Sequence, residues 1–433
     1  MASLVTNKFR VHNAEQFVES FTEAANSVIY LGIGQVTSFP DDNNPPTPNN
    51  TVNVIEYTPW NEMYAAKRIL GGDVTHALPR YNWTSGTVYT QYDNQTTDLV
   101  SDDFYVMTDE YHVFKCLFNN GGIASTSKPT LPGTLTQRFT TADGYVWRFM
   151  YTVGTTAALK FLTNDYIPVQ TLESDNGTNQ WTVQSGAVDG AIEVVLVTNG
   201  GSGYFSGNTT VTITGDGTGA TATANVSGGA VDGVTITNVG SGYTRATVSI
   251  SGAGASATGR AIISPKGGHG HDAVEELGGK YVIMNARLDG NEANTFSTSN
   301  EFRQVSVIRD PFAYGTTDRA LSVLQRQTYR YTLSGVSGTF QIDELVEDAG
   351  SNSAVVVEWN ASSNNLFTKT PLNLEFASAA VLTGNTSGAT GTVAVVSTPG
   401  LEPYSGDILY VENRVPIARA DDQIEDIKLI IQF

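Results

Sequence analysis

A single cysteine, Cys116, stands in a chain of 433 residues, so no intramolecular disulfide can form. Phe114 and Phe118 alternate with it, which is the pattern of a buried strand position and not of a nucleophile. Long apolar runs are also missing. No stretch approaches the ~20 residues needed to cross a bilayer, so no membrane insertion is expected, and the opening MASLVTNKFRVHNAEQ lacks the apolar core of a signal peptide. Synthesis in a cytosol is expected, and the Asn-x-Ser/Thr triplets at Asn82 and Asn94 then carry no glycosylation meaning.

Positive charge is scarce. The chain has 24 Lys and Arg against 43 Asp and Glu, a formal charge of -19, with no basic run. Phosphate backbones are bound by clustered Lys and Arg, so no nucleic-acid partner is expected. Charged residues make up only 15% of the chain while 43 glycines accompany abundant Ser, Thr and Asn. That balance belongs to turn-rich β structure and not to a disordered acidic chain. The length exceeds one ordinary core and implies several domains or one core with insertions.

What the chain does have is aromatic. Within residues 112–153, the Asp143-Gly144 turn signal is followed by Tyr145, Trp147, Phe149 and Tyr151 on one side of a period-two strand, with Val146, Arg148, Met150 and Thr152 on the other. Trp60, Tyr64, Tyr81, Trp83, Tyr89 and Tyr92 crowd the preceding stretch together with Arg80. Such residues anchor interfaces and also fill sandwich cores. Trp60, Tyr81, Trp83, Tyr145, Trp147, Phe149 and Tyr151 are therefore the candidates for a core or interface role.

The remaining pattern predicts a mainly β fold, a layered β-sandwich host with an N-terminal helix and two inserted small β modules. Asn13 as N-cap, Gln16 three residues on and the apolar set Phe17, Phe21, Ala24, Ala25 and Val28 predict the helix. Residues 28–36 predict a strand interrupted by Gly32 and Gly34, residues 39–53 a loop broken by Pro45, Pro46 and Pro48, and residues 60–70 a second helix. Short strands follow, for instance at 86–92 and 104–106.

Between 187 and 263 the texture changes to Gly, Ala, Thr, Val and Ser with almost no charge. Two copies of one unit are legible: the GSGY at 201–204 returns at 240–243, offset by 39, and the TVTI at 210–213 returns as TVSI at 247–250, offset by 37. Two units are few for a solenoid, which favours a small pseudo-symmetric β domain. A looser likeness, FQIDELVEDAGSNSAVVV at 340–357 and FASAAVLTGNTSGATGTV at 376–393, marks a second insertion. Strands at 305–308, 329–333, 407–412 and 427–433 read as host, the last with Ile427, Leu429, Ile431 and Phe433 on one face. The domain plan is host at 1–186, module at 187–264, host at 265–336, second module at 337–397 and host C-terminal strands at 398–433.

Catalytic chemistry finds little support. His269, His271 and Asp272 in GGHGHD could ligate zinc or iron, but a further ligand is needed and only His12, His76 and His112 remain, so the segment reads as a glycine-rich loop and no metal or cofactor is expected. The GDGTG at 215–219 has no following Lys-Ser/Thr or helix and reads as a β-corner. Carboxylates adjoin at Asp102/Asp103, Asp109/Glu110, Glu275/Glu276 and Asp421/Asp422, yet neighbours on a strand face opposite ways. No Gly-x-Ser-x-Gly elbow is present, and the protein is not expected to be an enzyme.

Five blocks in order resemble one family: residues 13–34 (NAEQF and YLGIG), 79–93 (PRYNWTSGTVYTQYD), 105–153 (KCLFNNGG, SKPT, DGYVWRFMYT), 268–288 (GHGHDAVEELGGKYVIMNARL) and 411–433 (VENRVPIARADDQIEDIKLIIQF). The chain resembles the dimeric baseplate wedge proteins, the subunit numbered eight, of T-even-type contractile phage tails. That resemblance implies a structural virion protein: a homodimer with layered β-sandwich folds that contacts other wedge proteins around the central hub and is assembled in the bacterial cytoplasm. The two modules have no counterpart in the family pattern, and GSGY is similar to insertion modules of phage tail and fibre proteins. The alternative is a receptor-binding or tailspike-like protein that recognises surface glycans through an aromatic-lined groove. The first module holds few aromatics beyond Tyr204, Phe205 and Tyr243.

Overall fold

The first helix runs Asn7–Glu19 and so begins well ahead of Asn13, which lies in its middle. The cap is Thr6, whose Oγ1 accepts from the Phe9 backbone N–H at 3.2 Å. Ala24 and Ala25 fall outside the described residues, which are 3–23, 27–371 and 375–433 of this computed structural model. The fold is mainly β with this N-terminal helix. It divides into two compact units, one of residues up to Gln16 with Thr75–Ile283 and Ile430–Phe433, the other of Phe17–Val74 and Met284–Leu429.

In the second unit, five strands pair in the order Leu324–Arg326, Met63–Ile69, Ile29–Gly34, Phe302–Arg309 and Asp407–Ile417. The predicted helix at 60–70 is corrected: a short turn of helix, Thr58–Glu62, ends where Met63–Ile69 joins the sheet. Helix propensity in this segment loses to burial, because Met63, Tyr64, Ala65 and Ala66 are all buried within the sheet. Gly32 does not interrupt its strand. It lets the neighbours close up, since a Cβ there would lie 2.5 Å from Met63 Sδ and 2.7 Å from Ser306 Oγ. Trp60 fills the cluster of Val28, Tyr30, Met63, Ala66 and Ile308 on this sheet.

The same unit contains a closed barrel of Tyr329–Ser337, Asn365–Thr368, Ser353–Asn360, Leu345–Glu347, Val381–Gly384 and Thr390–Ser397. Residues 329–333 were expected among the host strands and instead open the barrel. Tyr329, Tyr331 and Leu333 alternate into its interior against Phe340, Val346, Phe376 and Val393. A barrel needs a strand to close its edge, and this one supplies it.

In the first unit, four strands pair in the order Tyr105–Met107, His112–Phe118, Val146–Thr152 and Phe139–Thr140. The two central strands are buried along their middles on both faces. Residues 86–92 are not a strand. Its backbone joins neighbouring segments through the Thr87–Ser125 bridge and a Tyr92 N–H to Cys116 carbonyl bond, and side-chain bonds such as Thr90 N–H to Asp103 Oδ1 at 3.2 Å complete the attachment. Tyr145, Trp147 and Phe149 share one cluster with Tyr89, Val106, Phe114, Cys116 and Val183. Tyr151 leaves them. Val113 pairs with Tyr151 and Phe114 with Phe149, so Met150 is an extra residue, and the bulge delivers Tyr151 to a second cluster with Phe104, Tyr105 and Met107.

The Gly-rich segment forms one antiparallel sheet in the order Ala230–Ser241, Thr218–Ser227, Thr210–Gly215, Ala246–Ser251, Thr258–Ile263 and Ile192–Asn199. Exchanging the repeats reverses this order onto itself, which places a pseudo-dyad between Thr210–Gly215 and Ala246–Ser251. The turns match as well. Gly201 and Gly240 both have φ of 63°, their N–H groups donate to Asn199 and Asn238 Oδ1 at 2.9 and 3.0 Å, and the Tyr204 and Tyr243 hydroxyls accept from Ala257 and Ala220 N–H at 3.3 Å each. The outermost pair of strands is rooted elsewhere: Val194 and Ile262 belong to the cluster of Phe104, Tyr105, Met150 and Tyr151.

Candidate functional site

Lys115 interrupts the apolar run Val113-Phe114-Lys115-Cys116-Leu117 on a central strand, and its side chain is wholly buried. Arg148 is its cross-strand partner and is buried too. Lone buried charges are prohibitively costly, so both must be met by partners. Those of Lys115 come from a glycine-rich turn and the short helix Ala273–Leu277, whereas Arg148 draws on Thr136, Glu193 and the turn. The turn passes through Gly268 and Gly270, both at positive φ, and drives His269 inward while His271 stays exposed. Asp272 caps the helix, its Oδ1 accepting from Glu275 N–H at 2.9 Å, and Glu276 points down from it.

The side chains converge tightly. Lys115 Nζ lies 2.5 Å from Glu276 Oε1, 3.1 Å from His269 Nδ1 and 3.6 Å from the centre of the Tyr92 ring. His269 Nδ1 is also 3.0 Å from Glu276 Oε1, and Gly270 N–H donates to Oε2 at 2.6 Å. Arg148 continues the network, its Nη1 donating to the Thr136 carbonyl at 2.5 Å and to Glu193 Oε1 at 3.2 Å, its Nη2 to the His269 carbonyl at 3.2 Å. Burial lowers the Lys115 ammonium, against the pull of Glu276. Burial and the Lys115 charge lower the His269 imidazole. Burial would raise the Glu276 carboxyl, but the Lys115 charge and the His269 hydrogen bond outweigh it and hold it down at about 2.

No solvent path serves this cluster. The side chains of Lys115, His269 and Glu276 are 0%, 2% and 3% exposed, so an external substrate has no access and the chemistry available is among the residues themselves. A more open feature lies in the same unit, a cleft of about 1050 Å³. Gln91, Asn119, Asn120, Asn225, Asp232 and Thr235 give it an amide- and hydroxyl-rich lining, with Tyr89 and Phe118 as its aromatics.

The aromatic candidates separate into three places. Tyr145 and Trp147 stack at 5.4 Å with planes 17° apart, Tyr89 meets Trp147 edge-on at 5.9 Å, and Phe149 lies in the same cluster. Trp83 packs at that cluster's margin, half-buried, its Nε1 donating to Ser125 Oγ at 3.1 Å. Tyr81 meets Tyr105 edge-on at 5.3 Å beside the cluster that takes Tyr151, and Trp60 is in the other unit. Sequence reasoning missed Lys115, Arg148, Glu193 and Glu276. The available signal was a basic residue in the middle of each of two apolar strands.

Asp143 ties together two segments of the 105–153 block. Its Oδ2 accepts from Ser125 Oγ and from the Thr126 and Ser127 N–H groups at 2.8–2.9 Å, and its Oδ1 from Thr141 Oγ1 and Tyr145 N–H. Burial raises this carboxyl, but the ring of donors prevails and lowers it to about 2. Two of the adjacent carboxylate pairs meet cations: Asp109 and Glu110 both hold Lys128, and Glu275 pairs with Lys8 while Glu276 turns inward. Among the described residues no group of three or more His, Cys, Asp and Glu is arranged to hold a metal. No helix among them is long and apolar enough to cross a membrane. No family model matches the chain, and no curated protein matches it.

Proposed function

We propose that this chain is a structural subunit of a contractile phage tail, a homodimeric baseplate wedge protein that works through contacts with other wedge proteins. One observation supports the reading above the rest. Two of the blocks that carry the family resemblance, 105–153 and 268–288, meet side chain to side chain in the buried cluster of Lys115, Arg148, His269 and Glu276. Such a network rewards one arrangement of strand and helix and penalises others, as expected of a scaffold. The module-bearing segment 187–264 leaves and re-enters the chain between those blocks. On this reading the protein resides in the virion at the tail baseplate and is not an enzyme.

Imaging of purified contractile tails labelled with an antibody to this chain tests the proposal. Label at the baseplate periphery is expected, and label at the collar or fibre tips, or none, would overturn it. Light scattering tests the dimer, with twice the 46.2 kDa chain mass expected at micromolar concentration. A second reading, a receptor-binding tail protein, draws on the amide-rich cleft, whose planar polar side chains suit a hydroxyl-rich ligand. A glycan array showing selective binding that is lost in Asn225→Ala would favour it.

A further inference from the structure

We propose that Lys115 and Glu276 become joined by an intramolecular amide bond from Lys115 Nζ to Glu276 Cδ, formed inside the buried cluster without an external catalyst. The inference does not depend on the tail-protein reading. Four pieces of geometry carry it. Nζ is in contact with the carboxylate at 2.5 Å, so the nucleophile is already beside the carbon it would attack. Gly270 N–H donates to Oε2 at 2.6 Å, where negative charge develops when that carbon becomes tetrahedral. The single nitrogen His269 Nδ1 stands 3.1 Å from Nζ, which must lose a proton, and 3.0 Å from Oε1, which must leave with one. The Tyr92 ring, 3.6 Å from Nζ, and the Phe104 ring, at 5.8 Å, wall the site and exclude water that would reverse the reaction.

The step balances without any co-reactant. The Lys115 ammonium passes one proton to Glu276 Oε1, which leaves a neutral amine and a neutral acid in place of two buried charges. The charge that held Glu276 low is then gone, and burial favours the protonated acid. The Nζ lone pair forms the N–C bond at Cδ while the carbonyl electron pair moves onto Oε2. His269 Nδ1, which donates to Oε1, passes that proton to Oε1 and regains one from the nitrogen, the Cδ–Oε1 bond breaks, and one water departs as the carbonyl reforms. Nothing is oxidised or reduced. The product staples a central strand to a helix 161 residues away, a covalent closure in a chain whose single cysteine allows no disulfide.

Intact mass spectrometry of the denatured full-length protein is the test. The chain is expected to be lighter than its sequence by one water, and proteolysis should release a branched peptide containing Lys115 and Glu276. Lys115→Met should carry its full sequence mass. His269→Asn should reach the lighter mass more slowly than the parent in samples taken from the start of refolding, and an equal rate would remove His269 from the mechanism. A parent chain that keeps its full sequence mass after prolonged incubation, with no branched peptide, would overturn the proposal.

Discussion

Val211 pairs with Ile250, and Ile213 pairs with Val248, the residues at which the second repeat places its equivalents. The two contacts are images of each other across the centre of the module sheet. That central pair is itself mostly half-exposed or exposed, with Val211 its one buried residue, and the module's apolar cluster joins Ile236 and Tyr243 to Ile192, Val195, Ala261 and Ile263 of the outer strands.

Replacing residues 200–257 by a two-residue Asn-Gly turn should leave a folded protein of lower stability, because it strips Ile236 and Tyr243 from Ile192 and Val195 but keeps Val194 and Ile262 in the larger core. Asn199 and Thr258 are already cross-strand partners, so the turn closes an existing antiparallel pair. Extending the cut to 188–262 should abolish cooperative unfolding, because it removes Val194 and Ile262 from the core and Glu193 from Arg148. Thermal denaturation of the two deletions compares them directly.

Trp147 is fully buried between Tyr145 and Tyr89. Trp147→Ala should cost about 3–5 kcal/mol through lost transfer energy and the void left behind, a large part of a typical stability of about 5–15 kcal/mol. Urea titration should show the loss, or the variant should aggregate. An unchanged midpoint with lost incorporation into tails would assign Trp147 to an interface.

Asp143 should make stability fall at low pH. Its carboxyl is held at about 2 in the fold, below the ordinary ~3.9, so its contribution is complete above about pH 4 and is lost as the pH falls through about 2. Asp143→Asn should be less stable at neutral pH and should show a flatter loss between pH 4 and pH 2. Denaturant midpoints measured across that window for both proteins give the comparison.

Gly201→Ala and Gly240→Ala should destabilise by similar amounts, about 1–2 kcal/mol or more, since each forces a side chain into a left-handed conformation at an equivalent turn. Widely different melting temperatures for the two variants would break the equivalence of the turns.

Much of the β architecture was legible in local pattern. The Asp143-Gly144 turn, the alternation of Tyr145, Trp147 and Phe149, the GSGY repeat and the apolar C-terminal strand are written within a few residues of each other, because hairpin turns and strand faces depend on neighbours in sequence. Where a partner strand decides, local pattern failed. Residues 63–69 carry helix-forming Ala and Lys but take their conformation from the strands on either side, and Tyr151 changes cluster because of a bulge set by its pairing with Val113.

The sequence by itself determined that this is a glycine-rich, acidic, mainly β protein without disulfides, and that one segment is built twice from the same unit. Only the tertiary structure decided which charges are buried and with whom. Lys115 and Glu276 are 161 residues apart, and nothing in the spacing of either links it to the other. Their partnership is imposed when the strand and the helix close over a site from which water is excluded, since a buried ion tolerates no arrangement in which it stands alone.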